Sequence, residues 1–207
     1  MLMPTHLLVD YGEVISKAQP EAATAGMAAL VGMPTESFRE RYWGSREEYD
    51  RGLPATEYWD SVVGHPVHEA ERAELRRLDL ESWTQVNSAT VTALQHAHRR
   101  GARLTLLSNA PHDLAAEVGR LPAVTDIFSL LLFSADLRLV KPSAEIFEVA
   151  LSLTASAPED TLFIDDRVQN IRAADALGMR THHFTAAEKL DATLRGIDFA
   201  PTRDLAG

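Results

Sequence analysis

Residues 161–179 read TLFIDDRVQNIRAADALGM, and this stretch decides the class of fold. The apolar run Thr161–Asp166 ends in two acids and is typical of a buried strand, whereas Val168–Leu177 has the spacing of a helix. Gly178 follows at the position where a left-handed residue commonly ends a helix. A strand that leads at once into a helix is half of a parallel β-α-β unit, so the segment predicts an α/β fold.

The same alternation of strand and helix recurs along the chain on both sides of this unit. Further strands are predicted at His6–Asp10, Arg103–Asn109, Ile127–Ser134 and Thr181–Phe184, with helices at Ala115–Leu121 and Ser143–Thr154. Strands that are nearly continuous in apolar residues and alternate with helices indicate a parallel sheet covered on both faces. The predicted fold class is therefore α/β, a doubly wound parallel sheet.

A long helical region separates the first strand from the others. Its predicted helices are Gln19–Val31, Thr35–Trp43, Pro54–Val63 and His68–Trp83. A connection of this length is too long to serve as one right-handed crossover between neighbouring parallel strands. We therefore predict a helical cap domain at residues 16–98, inserted into an α/β core formed by residues 1–15 and 99–207.

Composition limits the class of protein. The chain has 207 residues, 45% of them hydrophobic, and no cysteine, so disulfides and thiolate metal sites are excluded. Its net charge of −10 argues against a nucleic-acid partner, because phosphate backbones attract basic surfaces. No apolar run is long enough for a membrane span or a signal peptide. We predict a cytoplasmic monomer or homodimer with no membrane partner.

Polar residues follow the predicted strands where the strands end. They are Asp10, Ser108 with Asn109, Lys141 after a short loop, and the pair Asp165 and Asp166. In open α/β sheets the carboxyl ends of the strands border the ligand crevice. Three close carboxylates repel unless a cation joins them, and oxygen ligands suit Mg²⁺. Lys141 and the Ser108 hydroxyl would then bind an anion beside that ion.

Four segments together resemble the four motifs of the haloacid dehalogenase-like hydrolases, in order and in spacing. They are VDYGEVI (9–15), LLSNAP (106–111), LVKPSAEIF (139–147) and LFIDDRVQNIRAADALGM (162–179), and they cover essentially the whole chain. The helical insertion resembles the bundle-type cap of the family. A subgroup that includes bacterial glucose-1-phosphatases and the N-terminal phosphatase domain of epoxide hydrolases has members with a similar Asp-x-Gly start.

The resemblance implies a magnesium-dependent phosphatase acting on a small phosphorylated metabolite. Asp10 would attack phosphorus and form an aspartyl-phosphate, which water then hydrolyses. The residues implied for Mg²⁺ are Asp10, the backbone carbonyl of Gly12, Asp166, and Asp165 either on the ion or just behind it. Ser108, Asn109 and Lys141 would hold the phosphoryl oxygens, and Asn170 matches a position that often carries a supporting acid.

Gly12 departs from the pattern of the family. Most of its phosphatases carry there an Asp that protonates the leaving group and later activates water, a contribution of about 10²–10⁴-fold in rate. Three interpretations follow: a leaving group that needs little protonation, such as a sugar 1-phosphate or acyl phosphate; an acid from Glu13, His112 or the cap; or feeble catalysis. The Asp-x-Gly subgroup favours an active enzyme, with a sugar phosphate as substrate.

Two other functions stay open. One is a non-catalytic binding or regulatory protein that kept the fold. The other is a metal-free haloacid dehalogenase, in which the same aspartate attacks carbon; the pair Asp165 and Asp166 argues against it. The cap aromatics, which include Trp43, Trp59, Trp83, Tyr42, Tyr49 and Tyr58, are predicted to form its core, and one or two lining a sugar-sized pocket is the alternative.

Overall fold

A computed structural model describes residues 5–199, and it contains one parallel five-stranded sheet. The strands are β1 (His6–Val9), β2 (Arg103–Ser108), β3 (Leu130–Phe133), β4 (Thr161–Asp165) and β5 (Arg180–His183), in the spatial order β3-β2-β1-β4-β5. The predicted α/β fold is confirmed. The strand predicted from Ile127 begins only at Leu130, because the Ile127 N–H is used in a turn with Val124 O at 3.2 Å.

Helices occupy the crossovers and the insertion. They are α1 (Glu21–Leu30), α2 (Thr35–Gly44), α3 (Arg46–Asp50), α4 (Ala55–Val63), α5 (Glu69–Trp83), α6 (Ser88–Arg99), α7 (His112–Val118), α8 (Pro122–Thr125), α9 (Ser134–Leu137), α10 (Ala144–Thr154), α11 (Val168–Ala176) and α12 (Ala187–Arg195). Between residues 5 and 199, no helix combines the length and the apolar character needed to cross a bilayer.

The central strand β1 shows how the sheet is covered on both faces. Leu7 and Val9 pack into one hydrophobic cluster, and Leu8, between them, packs into another. Successive side chains of a strand point to opposite faces, so an apolar run without alternation requires helices on both sides. Helices α6, α7 and α12 contribute to the first cluster, and α10 and α11 to the second.

A third cluster forms the core of the inserted helices. Its fully buried members include Phe38, Tyr42, Tyr58, Trp59 and Leu75, from helices α2, α4 and α5. Most of the inserted aromatic residues therefore serve packing, as expected.

Helix α6 belongs with the sheet rather than with this third cluster. Its residues Val91, Leu94 and Ala97 pack among the side chains of β1 and β2, although residues 16–98 were all expected in the cap. The apolar face of α6 thus lies against the sheet, next to the predicted second boundary. The division into two domains stays a prediction, and residues 1–4 and 200–207 of the expected core lie outside the described part of the chain.

The two connections between core and insertion run side by side. Ser16 and Val86 form an antiparallel bridge, with the Lys17 N–H donating to Gln85 O at 2.6 Å and the Asn87 N–H to Ile15 O at 2.8 Å. The chain therefore leaves the core and returns to it at one place.

A buried histidine in β1 predicts acid sensitivity. His6 lies with Nε2 3.0 Å from Thr105 Oγ1, and burial, with a smaller effect of Arg103, lowers its pKa from 6.5 to about 4. Between those pH values the unfolded chain binds a proton here that the folded chain does not. As the pH is lowered from 6.5 to about 4, the free energy of unfolding should therefore decrease. His6 alone contributes up to about 1.4 kcal/mol of this loss per pH unit.

Urea unfolding of the native protein and His6→Gln at several pH values between 8 and 4 measures this contribution. The His6→Gln variant should show a shallower loss of stability below pH 6.5. The exposed His65 offers a matched control, and His65→Gln should keep the native slope. Equal slopes in all three proteins would contradict the assignment.

Candidate active site

The carboxyl ends of β1 and β4 bring two aspartates onto one lysine. Lys141 Nζ lies 2.7 Å from Asp10 Oδ1 and 2.8 Å from Asp165 Oδ2, and it also donates to Leu107 O at 2.9 Å. All three residues are buried. A buried ammonium between two carboxylates satisfies charges that would otherwise be costly in the interior.

Asp165 is fixed by its surroundings. Besides Lys141, it accepts hydrogen bonds from the Arg167 N–H at 2.8 Å and from Asn170 Nδ2, which lies 3.0 Å from each carboxylate oxygen. Both oxygens therefore already have protein donors. Asn170, at the supporting-acid position, orients this carboxylate here.

The site offers an oxygen-rich place for a divalent cation. Oxygen atoms of Asp10, Asp165 and Asp166 lie within 4.8 Å of one another, and Asn170 Oδ1 is buried without a hydrogen-bond partner among residues 5–199. Within the same range, no donor binds the Gly12 carbonyl. A set of carboxylate and carbonyl oxygens is the chemistry that Mg²⁺ prefers, so the residues fit the ion.

The electrostatics of the cluster point the same way. Burial raises the pKa of Asp10 to about 7, opposed by Lys141 and reinforced by Asp165 and Asp166. Burial and Asp165 also raise the pKa of Asp166. Although burial opposes the charge of Lys141, Asp10 and Asp165 together raise its pKa. Three carboxyl groups thus share one lysine, and a bound cation would stabilise their charged forms.

The predicted phosphate-binding residues lie beside this cluster. The Ser108 side chain lines the cavity, and its hydroxyl has no hydrogen-bond partner among the described residues. Asn109 is differently engaged: its Nδ2 donates to Lys141 O and its Oδ1 accepts from the Lys141 N–H, both at 2.9 Å. Asn109 thus orients the backbone of Lys141, and direct contact with phosphate stays a prediction for it.

Two of the substitute acids expected near Gly12, Glu13 and His112, are exposed. Glu13 is exposed at the edge of the cavity, with a left-handed φ of 55° and its N–H bonded to Ser16 Oγ. His112 is exposed and pairs with Asp136 at 3.1 Å. At Gly12 itself, an added Cβ would meet no atom within 4 Å. The Cβ of a side chain therefore has space at this position.

A cavity of about 250 Å³ joins the cluster to the inserted helices. The side formed by the inserted helices, here called the upper wall, includes Trp43, Trp83, Arg46 and Asp50. The opposite side includes Asp10 and Lys141. An aromatic wall was predicted from the sequence only as the alternative to core packing. Trp43 is 40% exposed and meets Trp83 edge to face, with ring centroids 6.1 Å apart.

Arg46 and Asp50 were not among the site residues predicted from the sequence. They lie one helical turn apart in α3, a short helix of mostly charged residues that reads as a solvated surface. In the structure both are buried, and Arg46 Nε donates to Asp50 Oδ1 at 2.9 Å. The one available signal is the neighbourhood of aromatic residues: Arg46 lies between Tyr42 and Tyr49 in the sequence, and Asp50 directly follows Tyr49.

Known proteins resemble this chain in sequence. Residues 7–178 match the profile of a family described as haloacid dehalogenase-like hydrolase. A curated relative, phosphoserine phosphatase of Thermus thermophilus, is 30% identical over 159 residues, which is 76% of this chain and 58% of that protein. The chain thus spans little more than half the length of this relative.

Solved structures share the fold. A HAD family enzyme from Bacteroides thetaiotaomicron, in complex with magnesium and inorganic phosphate, superposes with a TM-score of 0.69 at 21% identity, over 88% of this chain and 95% of that one. A 2-haloacid dehalogenase from Pseudomonas syringae gives a TM-score of 0.65 at 19% identity, over 86% and 85% of the two chains. Likeness at these identities concerns the fold alone.

Proposed function

Since the chain belongs to the haloacid dehalogenase-like hydrolase family, we propose that it is a magnesium-dependent phosphatase of a small phosphorylated metabolite, with Asp10 as nucleophile. The observation that carries this proposal is the cluster of buried Asp10, Lys141 and Asp165 with half-buried Asp166 at the carboxyl ends of the strands. A phosphatase must neutralise an anionic substrate before an anionic nucleophile can approach it.

The residues support a two-step reaction. In the first step an Asp10 oxygen forms a bond to phosphorus as the bond to the leaving oxygen breaks, and that oxygen takes a proton from solvent or a donor. In the second step water attacks phosphorus and releases Asp10 and inorganic phosphate. Lys141 and Ser108 hold the phosphoryl oxygens through both steps, and a covalent intermediate divides the barrier.

Asp10, Asp166 and the Gly12 carbonyl would hold Mg²⁺, with Asp165 behind them. When bound, the ion supplies positive charge to the phosphoryl oxygens. Asp165 has a separate role: through its contacts with Lys141 and Asn170 it keeps the ammonium beside the reacting group.

A sugar phosphate is the favoured substrate. Its support is twofold: the absent acid at Gly12 suits an anomeric leaving group, and the exposed indole of Trp43 offers a face on which a sugar ring can stack. Carbohydrate sites commonly combine such a face with a few placed polar groups.

The leaving group should govern the rate. We expect the native protein with Mg²⁺ to hydrolyse 4-nitrophenyl phosphate and anomeric phosphates well and primary alkyl phosphates poorly. Gly12→Asp should improve alkyl phosphates selectively, by less than the roughly 10²–10⁴-fold that a well-placed acid contributes. The open space at Gly12 makes this substitution feasible.

The measurement is kcat/KM for an aryl and an alkyl phosphate in native protein, Gly12→Asp and Gly12→Asn. The asparagine variant is nearly isosteric with aspartate but has no acidic proton, so it should not give the selective gain. Absence of any phosphomonoester hydrolysis would contradict the proposed function. Equal native rates across leaving groups would mean that another residue already donates the proton.

A further inference from the structure

The upper wall of the cavity contains a buried charged cluster that the proposed reaction does not use. It consists of Arg46, Asp50, Asp79 and the hydroxyl of Tyr42. Arg46 Nε donates to Asp50 Oδ1 at 2.9 Å, Arg46 Nη1 donates to the Tyr42 oxygen at 2.6 Å, and the Tyr42 hydroxyl donates to Asp79 Oδ1 at 2.5 Å. Asp79 Oδ2 lies 3.7 Å from Arg46 Nη1.

The guanidinium of Arg46 is held rigidly. Its carbon lies 5.4 Å from the ring centre of Tyr42 and 5.8 Å from those of Tyr49 and Trp83. Contacts with aromatic rings restrict the orientation of the guanidinium plane. Less conformational entropy is therefore lost when a ligand binds to Arg46. The cluster is therefore pre-organised for recognition.

Two polar atoms of the cluster are left for a ligand. Nη2 of Arg46 and Oδ2 of Asp50 have no hydrogen-bond partner among residues 5–199, and both residues line the cavity above Asp10. One atom donates and the other accepts. A hydroxyl group can accept from Arg46 and donate to Asp50 at the same time, whereas a carboxylate can do only the first.

The charge count also disfavours a second anion. One arginine faces two buried carboxyl groups, so the cluster is neutral when one of them is protonated and carries −1 when neither is. Burial raises the pKa of both Asp50 and Asp79, against the effect of Arg46. In neither of these two states does the cluster carry a net positive charge. The rim of the cavity is lined by Arg167 and by two carboxylates, Glu13 and Glu47, of which Glu47 is paired with Arg51. An anionic substituent beside Arg46 would thus meet two carboxyl groups for one arginine.

We propose that Arg46 and Asp50 select phosphomonoesters whose remainder is an uncharged polyhydroxylated group, and that they disfavour substrates with a second anionic group. This inference rests on the proposed phosphatase function and names its substrate class. Asp79 and Tyr42 act as positioning residues, since they hold Arg46 from behind the cavity wall.

A matched pair of substrates tests the proposal. Glucose 1-phosphate and glucuronic acid 1-phosphate have the same anomeric leaving group and differ only in a CH₂OH or a carboxylate at carbon 6. We expect the native protein to prefer glucose 1-phosphate in kcat/KM by about tenfold or more, as like charges in a desolvated site are strongly unfavourable. Equal rates, or a preference for the glucuronate, would overturn the proposal.

Variants separate the charge of the cluster from general damage. Asp50→Asn and Asp79→Asn each remove one negative charge, and both should bring the ratio of the two kcat/KM values towards one. Glu57→Gln removes an exposed carboxylate from helix α4, so it should keep the native ratio. An unchanged ratio in both aspartate variants would contradict the inference, and the native comparison decides it should either variant fail to fold.

Hydrolysis of 4-nitrophenyl phosphate with Mg²⁺ tests the phosphatase function separately from the substrate class. That substrate has no hydroxyl group or carboxylate beyond its phosphate. If the native protein hydrolyses it but shows no preference within the sugar pair, the substrate class is wrong and the phosphatase stands. If no phosphomonoester is hydrolysed, both are wrong.

Discussion

Asp10→Asn should lower hydrolysis of 4-nitrophenyl phosphate by at least about 10³-fold, because an amide oxygen is a poor nucleophile and removal of a nucleophile typically eliminates nearly all catalysis. The fold should persist. Lys141 would keep its ion pair with Asp165 at 2.8 Å, and asparagine has nearly the shape of aspartate. The measurement is kcat of the purified variant, with circular dichroism to verify folding.

Asp126→Asn is the matched control for this substitution. Asp126 is exposed and lies outside the cavity, so its variant should keep the native rate. A folded Asp10→Asn protein that retains a substantial share of native activity would show that a different group attacks phosphorus.

Removal of the metal should have an effect of similar size. EDTA should abolish phosphatase activity, and excess Mg²⁺ should restore it, because the close carboxylates need a cation to bind an anionic substrate. Asp166→Ala should raise the Mg²⁺ concentration needed for half-maximal rate by more than about 100-fold, since even residues behind a ligand affect metal affinity by about 10–100-fold. Rate against Mg²⁺ concentration measures both.

Asp175→Ala provides the comparison, because it removes an exposed carboxylate from nearby helix α11 and should leave the Mg²⁺ dependence unchanged. Undiminished hydrolysis in EDTA would contradict the metal assignment. It would also favour metal-free chemistry and with it the dehalogenase alternative.

The sheet and its polar strand ends were predictable from short-range patterns. Asp10 and Asp165 each end an apolar run, and parallel strands necessarily present such ends at one edge. The predicted strands alone are therefore enough to infer that Asp10 and Asp165 lie close together at that edge. The pairing of Lys141 with both carboxylates adds a distance that the sequence does not contain.

The cluster around Arg46 was not predictable in this way. Asp79 lies on α5, far from Arg46 in sequence, and the depth of both residues depends on how α2, α3 and α5 pack. Periodicity places charged residues of a helix on its solvated face by default. The packing of helix α6 was not predictable for a related reason: an amphipathic pattern reveals an apolar face but not which neighbour covers it.

The antiparallel contact of Ser16 with Val86 has a consequence for how such a protein can diversify. The two connecting segments are hydrogen-bonded to each other, so the ends of the insertion, Lys17 and Gln85, are adjacent. For the sheet, the whole insertion is therefore equivalent to a loop with closely spaced ends. Lengthening, shortening or exchanging that span need not alter the register of β1 with β2 and β4. In this architecture the inserted helices can therefore change, and with them the ligand preference, while the strand ends that would carry out the reaction stay in place.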